Sequence, residues 1–232
     1  MAQPPDITET FVREVDENLR RDRARDFFKT YGNWLIAAVV LFLAVSGGLI
    51  WWNQHRVAKR GEQVEQLAQV YRDIGSGNVS NAGSQLDALS DSGSKGVRAS
   101  AKFARAALAL QQNDTKQAAG IYKSISEDSG LPQPYRDAAL VRQTALEFDQ
   151  LQPDAIITRL APLTKPGEPW FGSAGEMTAL AMIKQGKTQQ AAQLFATIAK
   201  DKTVPETLRA RAAQIAGTMG VDVTAALEGQ AQ

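Results

Sequence analysis

Ala106-Ala-Leu-Ala-Leu-Gln-Gln-Asn113-Asp-Thr-Lys-Gln-Ala118-Ala119-Gly-Ile121-Tyr122-Lys-Ser-Ile125 recurs 73 residues later, without a gap, as Ala179-Leu-Ala-Met-Ile-Lys-Gln-Gly186-Lys-Thr-Gln-Gln-Ala191-Ala192-Gln-Leu194-Phe195-Ala-Thr-Ile198. The match runs on through Asp128 with Asp201, Pro132 with Pro205 and Arg136 with Arg209. Each copy reads as two helices around a tight turn. Asn113 or Gly186 makes the turn between the two helices. A proline then starts the next pair. In the second helix a small residue (Ala118, Ala191) lets it approach the first. The aromatic four positions on (Tyr122, Phe195) fills the remaining gap.

A period of 73 is about twice that of common helical repeats, so an intermediate copy is expected. Pro153-Asp-Ala155-Ile-Ile-Thr-Arg-Leu160 supplies it, and Asn81-Ala82-Gly-Ser-Gln-Leu86-Asp-Ala-Leu89 is an earlier one. The small residues Ala82, Ala118, Ala155 and Ala191 then lie 36, 37 and 36 apart. This pattern resembles the tetratricopeptide repeat, with a degenerate first-helix signature. Leu208, Ile215 and Met219 read as a terminal capping helix. Pro162 to Gly175 interrupts the array, and Trp170 within it reads as an anchor of that loop on the core. Alternating β-branched runs are absent, so the fold expected is all-α: a helical-hairpin solenoid.

Upstream of the repeats, Trp34 to Trp52 carries no charged residue over nineteen positions. At about 1.5 Å per residue a helix of that length just crosses a ~30 Å hydrocarbon core. Trp34 at one end and Trp51 and Trp52 at the other suit the two membrane interfaces. The expected organisation is therefore a tail (1–33), a transmembrane anchor (34–52) and a soluble repeat domain (53–232). Ala44-Val45-Ser46 is the small-x-small triplet of a signal-peptide cleavage site. The mixed-charge segment ahead of the run, and its continuation to Trp52, favour an uncleaved anchor. Within fifteen residues of the run, five Lys/Arg precede it and three follow, which places the N-terminus inside and the repeat domain outside the cytoplasm. Phe11, Val12, Val15 and Leu19 recur at helical spacing within the tail. Ala44 and Gly48 form a small-xxx-small pair that allows weak self-association of anchors.

Composition excludes several functions. The repeat domain holds twenty Lys/Arg against eighteen Asp/Glu, and the tail six against seven, so neither is a basic nucleic-acid footprint. There is no cysteine, and His55 is the sole histidine. Thiol nucleophiles, zinc-thiolate sites and a Ser-His-Asp triad are thereby ruled out. Gly186-Lys187-Thr188 echoes the end of a phosphate-binding loop, but Ala181 stands where its first glycine is required. Ser92-x-x-Lys95 lacks the partner motifs of an acyl-enzyme site. No catalytic residue, cofactor or small-molecule substrate is expected.

The whole layout resembles the YfgM-like, tetratricopeptide-repeat-containing ancillary subunits of the bacterial Sec translocon. The residues carrying the resemblance are Phe27-Phe28 and Tyr31-Gly32, Trp51-Trp52-Asn53, the helix pairs, Pro169-Trp170 with Glu176, and Asp201, Pro205 and Arg209 to Arg211. It implies a single-pass bacterial inner-membrane protein with a cytoplasmic N-terminus. Its periplasmic domain would bind translocon subunits, chaperones or emerging client proteins. An adaptor for envelope assembly or cell division, or a membrane-organising protein without translocon contact, fits the same architecture. Which residues bind the partner is not readable from these motifs.

Overall fold

The computed structural model describes residues 7–222, and every regular element among them is helical, as the residue pattern predicts. Helix α1 (Ile7–Gly75) precedes α2 (Ala82–Ser90), α3 (Lys95–Gln111), α4 (Thr115–Ser126), α5 (Gln133–Glu147), α6 (Pro153–Leu160), α7 (Phe171–Lys184), α8 (Thr188–Lys200) and α9 (Glu206–Thr218). A 3-10 turn at Ala161–Leu163 follows α6. The chain divides into two compact units, Met1–Gly61 and Glu62–Gln232.

In the first unit, Trp34, Trp51 and Trp52 are exposed, and the Trp51 ring stacks on His55 with centroids 5.8 Å apart. Among the described residues one helix, from Ile36 onward, is long and apolar enough to cross a membrane. The side chains of Phe11, Val12, Val15, Leu19, the arginines from Arg20 to Arg25, and Tyr31 lie outside the described residues.

The second unit repeats one packing scheme. Leu86 and Leu89 of α2 pack with Leu67 and Val70 of α1 and with Val97, Ala101 and Leu108 of α3. Tyr122 and Ile125 of α4 pack with Ala99, Ala106 and Ala109 of α3 and Ala139 of α5. Ile156 and Leu160 pack with Val141 of α5 and Ala174 and Ala181 of α7, and Phe195 and Ile198 pack with Ala179 of α7 and Ala212 to Ala216 of α9. Every second helix is thus clamped between its own first helix and the next one. Such a unit cannot bury its apolar face alone, so stability comes from stacking. Helix α9 has no second helix among the described residues and covers the last face.

The turns follow from the same sequence logic. Asn113, Gly186, Gly77 and Gly220 all adopt positive φ, at 60°, 77°, 83° and 85°. Each closes its helix in the same way: the Gly186 N–H donates to Ile183 O at 2.9 Å and the Lys187 N–H to Met182 O at 2.9 Å, capping otherwise orphaned carbonyls. Asn113 and Asp114 repeat this on Leu110 and Ala109. The Asp114 carboxylate then caps α4, accepting from the Gln117 N–H at 2.8 Å. Gly186→Ala forces a Cβ into the left-handed region and is expected to lower stability by about 1 kcal/mol, read as a shifted urea midpoint. Asn113→Gly is expected to be nearly neutral in the same measurement.

The third hairpin corrects the predicted register. Ala82, Ala118 and Ala191 are buried, as are Tyr122 and Phe195, but Ala155 is exposed. The buried positions of α6 are Ile156 and Leu160, which stand where Ala118 and Tyr122 stand in α4. The true spacing along Ala82, Ala118, Ile156 and Ala191 is therefore 36, 38 and 35. The cause lies in the α5–α6 connection, where no left-handed residue closes the helix. The Gln150 and Leu151 N–H groups both turn back to Glu147 O, at 2.9 and 3.1 Å.

Candidate partner-binding surface

With the hairpin register fixed, equivalent positions on successive first helices can be compared. One column is Tyr71, Ala107, Ala145 and Leu180, all exposed. The next, one turn on, is Ile74, Leu110, Phe148 and Ile183, half-buried except for the exposed Ile183. Neither column contains a charge. Residues three or four apart on a helix share a face, so the two columns run together as one apolar band. Its middle is small (Ala107, Ala145) and its two ends are large (Tyr71, Leu180). Small residues on an exposed helix face leave room for side chains of another molecule.

Long polar side chains tie neighbouring first helices together around this band. The Tyr71 hydroxyl donates to Ser100 O at 3.3 Å. Arg142 of α5 lies over the Phe103 ring of α3 at 5.2 Å and over Tyr122 at 5.9 Å. Lys184 of α7 sits 4.4 Å from the Phe148 ring centroid and pairs with Asp149 at 3.1 Å. Arg211 of α9 donates to Glu176 of α7 at 2.6 Å. These links hold the register of a surface assembled from separate helices.

A different kind of site opens on α4, α5 and α6, where a groove of about 650 Å³ is lined by Lys123, Ser126, Gln143, Glu147 and Arg159. Arg159 pairs with Glu147 at 2.5 Å, and Gln143 donates to the same carboxylate at 3.2 Å. Burial on its own would raise the Glu147 carboxyl, but hydrogen bonds from Arg159 and Gln143 and the charges of Arg159 and Lys123 outweigh it and hold the group below its ordinary range. The carboxylate therefore contributes stability above the unfolded-chain value of about 4.3, lost as pH falls through the lower folded value. Urea midpoints of the unmodified chain and Glu147→Gln should accordingly converge as pH falls from neutral into that range.

The sequence-derived positions separate by role. Ala82, Ala118, Tyr122, Ala191 and Phe195 lie inside the array, and Trp34, Trp51 and Trp52 lie on the exposed surface of α1. Trp170 is half-buried against the core of α5, α6 and α7. Its loop is held by the Gly167 N–H, which donates to Asp201 at 3.0 Å. Among the described residues, no three His, Asp or Glu side chains converge as metal ligands. The apolar band itself was missed by the motif reading, although the 73-residue offset already pairs Ala107 with Leu180 and Leu110 with Ile183.

A family model described as a tetratricopeptide repeat-like domain matches residues 25–216. No curated protein and no solved structure matches the chain.

Proposed function

Because the chain belongs to the tetratricopeptide repeat-like domain family, a family of protein-interaction scaffolds, we propose that it is a scaffold tethered to the bacterial inner membrane by α1. Its repeat domain lies in the periplasm and binds Sec translocon subunits, periplasmic chaperones or emerging client proteins, in the manner of YfgM-like subunits. The observation that carries the scaffold reading is the uncharged band across the first helices, Tyr71 to Leu180 and Ile74 to Ile183. Supporting the tether is the apolar part of α1, whose described side chains from Trp34 to Trp52 are exposed apart from the half-buried Ser46, with tryptophans at both ends. Tethering keeps the band at high local concentration beside a membrane complex, so a shallow apolar surface suffices for occupancy.

The test is crosslinking in cells, followed by membrane isolation and mass spectrometry of proteins bound to the full chain. Translocon subunits or periplasmic chaperones in the crosslinked fraction support the assignment. Recovery of the chain in the soluble fraction, or in membranes with lipid and self-copies alone, overturns it.

A further inference from the structure

One groove recurs in three successive hairpins of the repeat domain, at steps of 36 and 38 residues. In the second hairpin a cleft of about 320 Å³ is lined by Lys102 and Arg105 of α3, Ile121 and Ser124 of α4, and Asp87 and Ser90 of the preceding second helix, α2. Its counterpart in the third hairpin is the larger groove described above, where Leu140 and Gln143 of α5, Arg159 of α6, and Lys123 and Ser126 of α4 hold the same places. In the first hairpin the counterpart, about 420 Å³, is lined by Gln66 and Gln69 of α1 and by Gln85 and Ala88 of α2, over Val70 and Leu89. It lies wholly within Glu62–Gln232, and one wall is missing. Before α2 the described chain forms α1 alone, so no second helix of this chain precedes it.

Exposure along the register shows what that wall does. The column Gln66, Lys102, Leu140, Gly175 is exposed at Gln66 and half-buried or buried at every later position. The same holds for Gln69, Arg105, Gln143, Thr178 and for Gln85, Ile121, Arg159, Leu194. A terminal repeat needs only a polar outer face to stay in solution. This one also keeps a cleft open above an apolar floor at Val70 and Leu89.

The charges specify the helix that fits. In the second hairpin Arg105 is answered across the groove by Asp87 of α2, 3.2 Å away. In the first, Gln69 stands in the place of Arg105 and Gln66 in that of Lys102. A carboxylate brought there would be desolvated without a cation to meet it, whereas amides both donate to and accept from uncharged polar side chains. The matching helix therefore presents Ser, Thr, Asn or Gln one turn apart. The described second helices of another copy cannot supply it, because α2, α4, α6 and α8 are each clamped between two first helices.

We infer that the cleft between α1 and α2 seats an uncharged polar face of a helix from a different protein, which takes the place of the missing second helix. It runs antiparallel to α1 and parallel to α2, the directions that short connections impose on successive helices of the array. The inference rests on the scaffold reading for its ligand being a protein, but uses no residue of the apolar band.

Full-length chains carrying a photocrosslinking residue at Gln66, Gln69, Gln85 or Ala88 are irradiated in cells, and the adduct sites are mapped by mass spectrometry. Each pair of probes lies three residues apart, about 4.5 Å along its helix. Adducts should fall on one segment of one other protein, moving by three or four residues within each pair, backward along that segment for α1 and forward for α2. Steps of one or two residues, the spacing of an extended strand, overturn the inference. So do adducts scattered over many proteins, adducts only to copies of the chain or to lipid, and the absence of adducts. Ala88→Trp fills the cleft from an exposed position and should lower the Gln66 adduct by at least about fivefold, and an unchanged yield also overturns the inference. A band that binds nothing leaves these adducts in place, and their absence leaves adducts from a probe at Ala145 in the band, so the two readings fail separately.

Discussion

Phe195→Ala is expected to lower the unfolding free energy of the repeat domain by about 3–5 kcal/mol, the range for emptying a fully buried aromatic position. Phe195 is completely buried, in one cluster with Phe171, Ile198 and the alanines of α9. Those alanines are too short to close on the space left. The close approach of α7 forbids relief from the other side, since a Cβ added at Gly172 would lie 2.7 Å from Val204 and one at Gly175 would lie 3.0 Å from Ile198. The same experiment tests the corrected register. Ile156→Ala should cost about 2–5 kcal/mol, because Ile156 is the buried residue of its turn. Ala118→Leu, at the equivalent buried position, should cost about 1–3 kcal/mol by overpacking. Ala155→Leu should be nearly neutral, its side chain lying on the exposed face. Urea unfolding followed by circular dichroism reads all four, and a loss from Ala155→Leu as large as that from Ala118→Leu would contradict the register.

Leu180→Asp combined with Ile183→Asp is expected to weaken partner binding by about 30-fold or more, equivalent to losing one strong contact of roughly 2 kcal/mol. Both residues are 37% exposed, sit at equivalent positions of adjacent columns, and make no polar contact that holds the fold. Introduced carboxylates there would be solvated in the free protein and would have to be desolvated against an apolar partner. Stability should therefore change little while affinity falls, a separation that core substitutions such as Phe195→Ala cannot produce. Calorimetric or surface-based titration against whichever protein the crosslinking identifies supplies the affinity, and the urea midpoint supplies the control. Unchanged affinity would move the binding surface away from α7.

Most of the fold was legible because helical hairpins write their geometry into short-range pattern. Asn113 and Gly186 announced their turns, and Ala118 with Tyr122 and Ala191 with Phe195 marked the packed faces of the second helices. The third hairpin departs from the alanine spacing by one residue because its connection lacks a left-handed turn residue. With that landmark gone, the alanine at 155 matched the neighbouring alanines by type while Ile156 carried the burial. The binding surface was harder to see for a physical reason. A packing position needs a particular size, so it constrains the residue type; an exposed position tolerates Tyr, Ala and Leu alike, and Tyr71, Ala107, Ala145 and Leu180 share no motif. The 73-residue offset pairs Ala107 with Leu180, but Ala145 joins them only through the corrected register of the third hairpin, where Ile156 stands in the place of Ala118.

The most direct measurement is site-specific photocrosslinking of the full chain in cells, with the probe placed at Ala145 in the middle of the band and, as control, at Gln193 on the exposed side of α8. Defined adducts to a second protein from Ala145, and none from Gln193, are the result this account predicts. Adducts from Gln193 with none from Ala145 would contradict it, placing the partner on the second helices instead of the first.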